Sequence, residues 1–354
     1  MKRPICISGA ELCNCKMSGI PRYMHEIIIY IDKALNDWTE EEDIRVCYPK
    51  GKTVMLPQLD NIKTVEITLP DGKNWNTGVF REYVNSVNGI FCGMSNNKSL
   101  NKGSIITLHD VRRLEHREYD SFKTRMLYKF QMLFIRKYSE RIMTLTEYQK
   151  NAIAKKLKFD KNKIDISYCG YEHILDFAED EDIFAGFSNI RRGEYYYAVG
   201  SVAKHKNYKW ILETAKRNPE KQFVVAGLEM KNKWNTDNSD FSNDNIVYVG
   251  YVSDEENKAL IKSCRAFVHP SLYEGFGIPP LEALCLGKPV FVSSATCLPE
   301  IYDGLATIFN PDDYSVNIDE LFYPEPEQLR TALEKYSWKN AALRWLELFD
   351  KVNV

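Results

Sequence analysis

Short, almost continuously apolar runs that alternate with helical stretches constrain this chain more than any other feature. "EYYYAVGS", "QFVVAGLE", "NIVYVGYV", "RAFVHPS" and "KPVFVSS" are separated by segments such as "NYKWILETAKR" and "DEENKALIKSC". A strand without a polar side must be covered on both faces, and helices alternating with strands do this over a parallel sheet. The first half follows the same pattern. "RPICISG" leads into the helical "GIPRYMHEIIIYIDKALND", and "DIRVCYP", "NIKTVEI", "GSIITLHD" and "KIDISYCGY" read as further strands. In "ERIMTLTEYQKNAIAKKL" a strand passes into a helix through Thr146, a cap residue with Gln149 three positions on. Between the two series, Glu172 to Gly193 has no sustained period and reads as an acidic, then basic linker that includes Asp180 to Asp182. The expected organisation is two α/β domains, residues 1–175 and 176–335, and a closing helical segment 336–354 that packs across the lobes. A length of 354 residues is enough for both cores. A cleft between two such lobes is where a ligand is expected.

With 47 basic and 49 acidic side chains the formal net charge is -2, so no global field argues for nucleic acid and any charge-based partner must be local. One local candidate is "FKTRMLYKFQMLFIRKYSER", residues 122–141, where Lys123, Arg125, Lys129, Arg136, Lys137 and Arg141 stand against Glu140 among aromatics and Met. Such a helix suits the surface of an anionic membrane, and it equally suits a core helix with a basic outer face. The nine cysteines are scattered, and the close pair Cys13 and Cys15 has no second pair or histidines at zinc spacing. They read as thiols of a reducing compartment. The apolar run in "MKRPICISGAE" is too short for a signal-peptide core or a membrane span. A cytoplasmic protein, peripheral at most on the inner face of a membrane, is expected.

Candidate chemistry concentrates in "HPSLYEGFGIPPLEALCLGKPVF", residues 269–291. Ligands of open parallel sheets gather beyond the carboxyl ends of the strands, and the loop here follows the strand "RAFVHP". Gly275 and Gly277 let backbone N–H groups approach phosphate oxygens, and a helix start at Pro279 and Pro280 adds a positive dipole end. Glu274 on the loop and Glu282 in the first helical turn offer only acceptors when ionised, so they suit sugar and ribose hydroxyls. The plainer alternatives are an exposed loop carboxylate and a helix-dipole carboxylate. In "VGSVAKHKNYKW" the strand ends at Gly200, and Lys204, His205 and Lys206 precede a helix starting near Asn207. A lysine held there can neutralise a diphosphate. His109, closing the strand of "IITLHD", can donate to a ligand oxygen or act as a base. Gly19, just before a helix opened by Ile20 and Pro21, offers a further phosphate-friendly N-terminus.

In this order the motifs "SGIPRY", "LHD", "LTEYQKNAI", "YYYAVGSVAKHKN", "VYVGYVSDEE" and "PSLYEGFGIPPLEALCLGKPVFVSSATCLPEIYDGLATIFNPDD" resemble the retaining glycosyltransferases of family 4. That resemblance implies the GT-B architecture, two facing Rossmann-like domains with a C-terminal helix crossing back to the first. It implies transfer of a hexose from a nucleotide diphosphate sugar to a glycan or lipid-linked glycan, with no metal or other cofactor. By resemblance His109, Lys206 and Glu274 are catalytic. Gly19, Ser201, His205, Tyr251, Val252, Phe276, Gly277, Ile278 and Glu282 then bind the donor, with His205 where the family often has Arg. "GIPRY" and "TEYQKNAI" lean towards mannosyl or rhamnosyl transfer and a GDP-sugar. A nucleotide-sugar epimerase of the same architecture and a non-catalytic accessory subunit are the alternatives.

Overall fold

A computed structural model describes residues 2–13, 17–96, 99–116, 118, 120–201, 203–227 and 243–353. The chain forms two compact units, Met1–Cys169 with Tyr336–Val354, and Gly170–Lys335. Cys15 and the end of "QFVVAGLE" lie outside the described residues.

Among the described residues the first unit holds seven parallel strands: β1 (Ile5–Ser8), β2 (Ile44–Pro49), β3 (Lys63–Ile67), β4 (Ile90–Gly93), β5 (Ser104–Thr107), β6 (Ser139–Thr144) and β7 (Ile164–Ile166). Their order is β3-β2-β1-β4-β5-β6-β7, and every residue of β1, β4 and β5 is buried. The described residues of the second unit form six more parallel strands: β8 (Tyr195–Val199), β9 (Gln222–Ala226), β10 (Ile246–Gly250), β11 (Ala266–His269), β12 (Val290–Ser293) and β13 (Thr307–Phe309). They run β10-β9-β8-β11-β12-β13. Two parallel α/β sheets are what the apolar, helix-interrupted strands require. Of these strands, β4 and β13 are not among those expected from the sequence.

Each sheet is wound in two directions from its middle. In the first unit the chain order reverses between β1 and β4, in the second between β8 and β11. Loops leaving the carboxyl ends of such a strand pair diverge and leave a crevice, the usual ligand position in open α/β sheets.

The last helix, Trp338–Asn353, completes the first unit by packing on the helix Gly19–Ala34. Trp338, Trp345, Leu346 and Phe349 are buried, and the Trp345 indole N–H donates to the Tyr23 hydroxyl at 2.9 Å. Ser167 donates to the Ala341 carbonyl, and Lys2 pairs with Asp350 and Glu42.

Two expectations are corrected. Glu172 to Gly193 is a strap folded onto the second unit rather than a free linker. His173 is buried, and Lys258 donates to the carbonyls of Leu175 and Phe177 at 2.9 and 2.7 Å. The Gly193 amide also reaches the Ser263 carbonyl. The segment lacks a period because its backbone groups are satisfied by side chains and loops, around two helices of only four residues, His173–Asp176 and Ile183–Gly186. The basic helix read as 122–141 ends at Tyr138, and Glu140 and Arg141 belong to β6, where Arg141 pairs with Asp165. Thr146 caps its helix as expected, accepting from the Gln149 amide at 3.2 Å.

Candidate active site

The crevice of the second sheet is built from the loops after β8 and β11. After β8 the strand ends approach so closely that a Cβ at Gly227 would lie 2.0 Å from the Gly200 carbonyl oxygen, which only glycine avoids. The Tyr208 hydroxyl donates to that same carbonyl at 2.9 Å. Lys204 to Lys206 form one tight turn, and Asn207, left-handed at φ 54°, opens the helix Tyr208–Arg217 while its amide side chain donates to the Pro311 carbonyl. The two loops are joined directly, the Leu272 amide donating to the His205 carbonyl at 2.7 Å.

On the β11 side, Gly277 takes φ 93° ahead of the helix Ile278–Cys285. A side chain there would be strained and would meet Leu298 at 2.9 Å, while the Tyr302 hydroxyl donates to the Gly277 carbonyl. Pro279 and Pro280 lack N–H groups, so only Gly277 and Ile278 offer amides in this first turn. The helix start is thus a poorer anion cradle than the dipole argument suggests. Because the helix begins at Ile278, Glu282 falls in its second turn rather than its first.

Glu274 is not an exposed loop carboxylate. Its side chain is 12% exposed, and its Oε1 accepts from Lys206 Nζ at 2.7 Å and lies 2.9 Å from His269 Nε2. Its backbone amide donates to Thr296 Oγ1 at 3.1 Å. Burial would raise its pKa, but the adjacent Lys206 charge and the His269 hydrogen bond outweigh it and hold the carboxyl well below the usual range. Glu282 is buried with Oε1 2.9 Å from His173 Nε2. Neither His269 nor His173 is singled out by sequence. His269 carries a signal, a polar residue closing an otherwise apolar strand, whereas His173 lies in the stretch read as linker.

The other expected residues divide by unit. Ser201 and Tyr251 are exposed just beyond β8 and β10, on the same sheet edge as Glu274. Val252 and Phe276 are buried, so their side chains serve the core and a ligand would meet only their backbone. Ile278 is half-buried. Lys204 is exposed and His205 half-buried. Gly19 lies in the first unit and is the first residue of the helix Gly19–Ala34 rather than the residue before it.

His109, also in the first unit, is buried after β5, with Nε2 2.9 Å from the Met94 carbonyl beyond β4 and the Tyr23 ring edge-on at 5.0 Å. A carbonyl only accepts, so Nε2 carries the proton and Nδ1 is the acceptor nitrogen. Burial, only partly offset by that hydrogen bond, lowers its pKa to about 4. At neutral pH the His109 imidazole is therefore uncharged with its one N–H given to Met94, which suits the expected role of base better than that of donor. Its folded pKa lies below that of an exposed imidazole, so the unfolded chain binds the extra proton first. Stability is complete above about pH 6.5 and falls towards pH 4 by up to roughly 3 kcal/mol. Unfolding titrations at pH 7 and pH 4.5 should show this loss reduced in His109→Gln. Equal losses in both proteins would remove His109 as its source.

Residues 180–336 match the family described as Glycosyl transferases group 1. O-antigen chain mannosyltransferase RfbU of Salmonella typhimurium is 27% identical over 240 residues, covering 63% of this chain and 61% of that protein. O-antigen chain mannosyltransferase B of Escherichia coli is 23% identical, over 97% of this chain and 98% of its own. The solved structure of Anabaena HepE in complex with UDP and glucose superposes with a TM-score of 0.67 at 12% identity, over 98% of this chain and 99% of that one. That likeness establishes a shared fold, the GT-B arrangement of two Rossmann-like sheets.

Proposed function

The chain belongs to the glycosyl transferases group 1 family, and on that premise we propose that it moves mannose, with retention of configuration, from GDP-mannose to a glycan or lipid-linked glycan during surface-polysaccharide synthesis. The observation that carries this reading is the Lys206–Glu274–His269 cluster at the point where the second sheet reverses its order. A cation and an ionised carboxylate held side by side match the two chemistries of a nucleotide sugar, its anionic diphosphate and its hydroxyl-rich ring. The two O-antigen mannosyltransferases support the choice of sugar.

In the proposed reaction the acceptor hydroxyl attacks the anomeric carbon from the face of the leaving group, through an oxocarbenium-like state. The bond to the diphosphate oxygen breaks, and that oxygen takes up the acceptor's proton. Lys206 and the Gly277 and Ile278 amides stabilise the charge developing on the diphosphate. Glu274 accepts from sugar hydroxyls, and Glu282, steadied by His173, accepts from the ribose. Among the described residues no helix is long and apolar enough to cross a membrane. We place the enzyme in the cytoplasm, reaching a lipid-linked acceptor from the membrane's inner face.

A thermal-shift panel of GDP, UDP, dTDP, ADP and CMP with their sugar conjugates, with and without EDTA, tests the donor. A ligand at a hundred times its dissociation constant adds ~2.7 kcal/mol. GDP and GDP-mannose are expected to raise the melting temperature, and EDTA to leave the shift unchanged. Stabilisation by another diphosphate alone would replace the donor, and no shift at millimolar ligand would remove the nucleotide site.

A further inference from the structure

The helix Phe122–Tyr138 carries apolar side chains on opposite faces. Tyr128, Met132 and Ile135 are buried in the core of the first unit. Phe122, Leu127, Phe130 and Leu133 point the other way, with exposures of 73, 63, 54 and 58%. At about 100° per residue, Phe122, Phe130 and Leu133 cluster in the sector facing away from that core, with Leu127 at its margin. A helix that serves only its own fold needs one apolar face, so packing does not account for the second.

The charge of this helix is also unmatched. Lys123, Arg125, Lys129, Arg136 and Lys137 lie on the helix, and no Asp or Glu occurs between residues 122 and 138. None of the five forms an ion pair among the described residues. Neighbouring cations do find partners: Arg112 and Arg113 pair with Asp120, Lys156 with Glu115, and Lys163 with Glu140.

We propose that this outward face docks flat on an anionic lipid bilayer, its aromatic and aliphatic side chains entering the acyl boundary and its lysines and arginines meeting lipid phosphates. Nucleic acid would use the cations but leave Leu127 and Leu133 against phosphate or water. An apolar protein groove would take the four large side chains but strand the charges. A surface with fixed anions above hydrocarbon uses both. The purpose of the contact, access to a lipid-linked acceptor, rests on the function proposed above, whereas the contact itself rests on this helix alone.

Flotation of the full chain with vesicles of phosphatidylcholine, alone or enriched in phosphatidylglycerol, tests the docking. Binding is expected only to the anionic vesicles and should weaken as salt is added. The double variant Leu127→Ser/Phe130→Ser should lose ~10-fold or more of its partitioning. Lys129→Gln and Lys137→Gln should each lose about fivefold. All these side chains are exposed, so melting temperatures and nucleotide-induced shifts should match those of the unaltered chain. Vesicle binding without a nucleotide shift would sink the donor reading and leave the docking intact. Equal binding to neutral vesicles, or variants that bind as well as the parent, would overturn the docking. So would a dimer in solution that Phe130→Ser dissociates while vesicles bind nothing.

Discussion

Lys206→Ala is expected to lower turnover by ~10²-fold or more, the loss typical of removing one preorganised electrostatic contact at a centre of developing charge. The Lys206 ammonium lies 2.7 Å from Glu274 and is only partly exposed, so its removal acts in two ways. The proposed leaving diphosphate loses its nearest cation. Glu274, whose burial already favours the neutral acid, keeps His269 as a neighbour that opposes protonation but loses the charge of Lys206. The acid limb of the variant's pH–rate profile should therefore move upward, since Glu274 then takes a proton at a higher pH than in the parent. Lys206→Arg restores the charge and should recover part of the activity and return the acid limb towards its original position. Steady-state kinetics across pH decides the matter. Unchanged turnover in Lys206→Ala would take the residue out of the mechanism, and an unmoved acid limb would dissociate it from Glu274.

The second large effect is structural. Trp345→Ala should destabilise the first unit by about 3–5 kcal/mol, the range for truncating a fully buried large aromatic side chain. Against a usual total of about 5–15 kcal/mol this leaves the unit close to its unfolding threshold. Trp345 is fully buried and its indole satisfies the buried Tyr23 hydroxyl. Trp345→Phe keeps most of the apolar volume but gives up that hydrogen bond, so about 1–3 kcal/mol is expected. Hydrogen exchange in denaturant, followed at amides of β1 and of β8, separates the two units. The β1 amides should lose protection in Trp345→Ala while those of β8 keep theirs. Full protection of β1 would mean that the last helix is not integral to that fold.

These two side chains show what local sequence can and cannot carry. Lys206 stands out from its surroundings because a basic turn follows a buried strand, yet its partner lies 68 positions away. The Glu282–His173 contact spans 109 positions and draws on a segment with no period at all. Trp345 reads plainly as one residue of an amphipathic helix, but the face it covers begins 322 positions earlier at Tyr23. The basic helix is the sharpest case. Its pattern fits both a core helix and a membrane-surface helix, and in the folded unit it has a face suited to each.

Sequence by itself determined the class of structure: apolar strands interrupted by helices, two parallel sheets, a glycine-bearing loop with Glu274 after a buried strand, and the family those motifs resemble. These are local properties, because the periodicity of burial and the backbone freedom of glycine act within one element and its immediate turn. The tertiary structure alone decided the strand order, and with it the crevice between β8 and β11, together with the pairing of Lys206 with Glu274. It likewise decided that the strap 172–193 supplies His173 and that the final helix completes the first unit. Each of these joins groups distant along the chain, and such contacts follow from how whole elements cross and pack, which no short window of residues encodes.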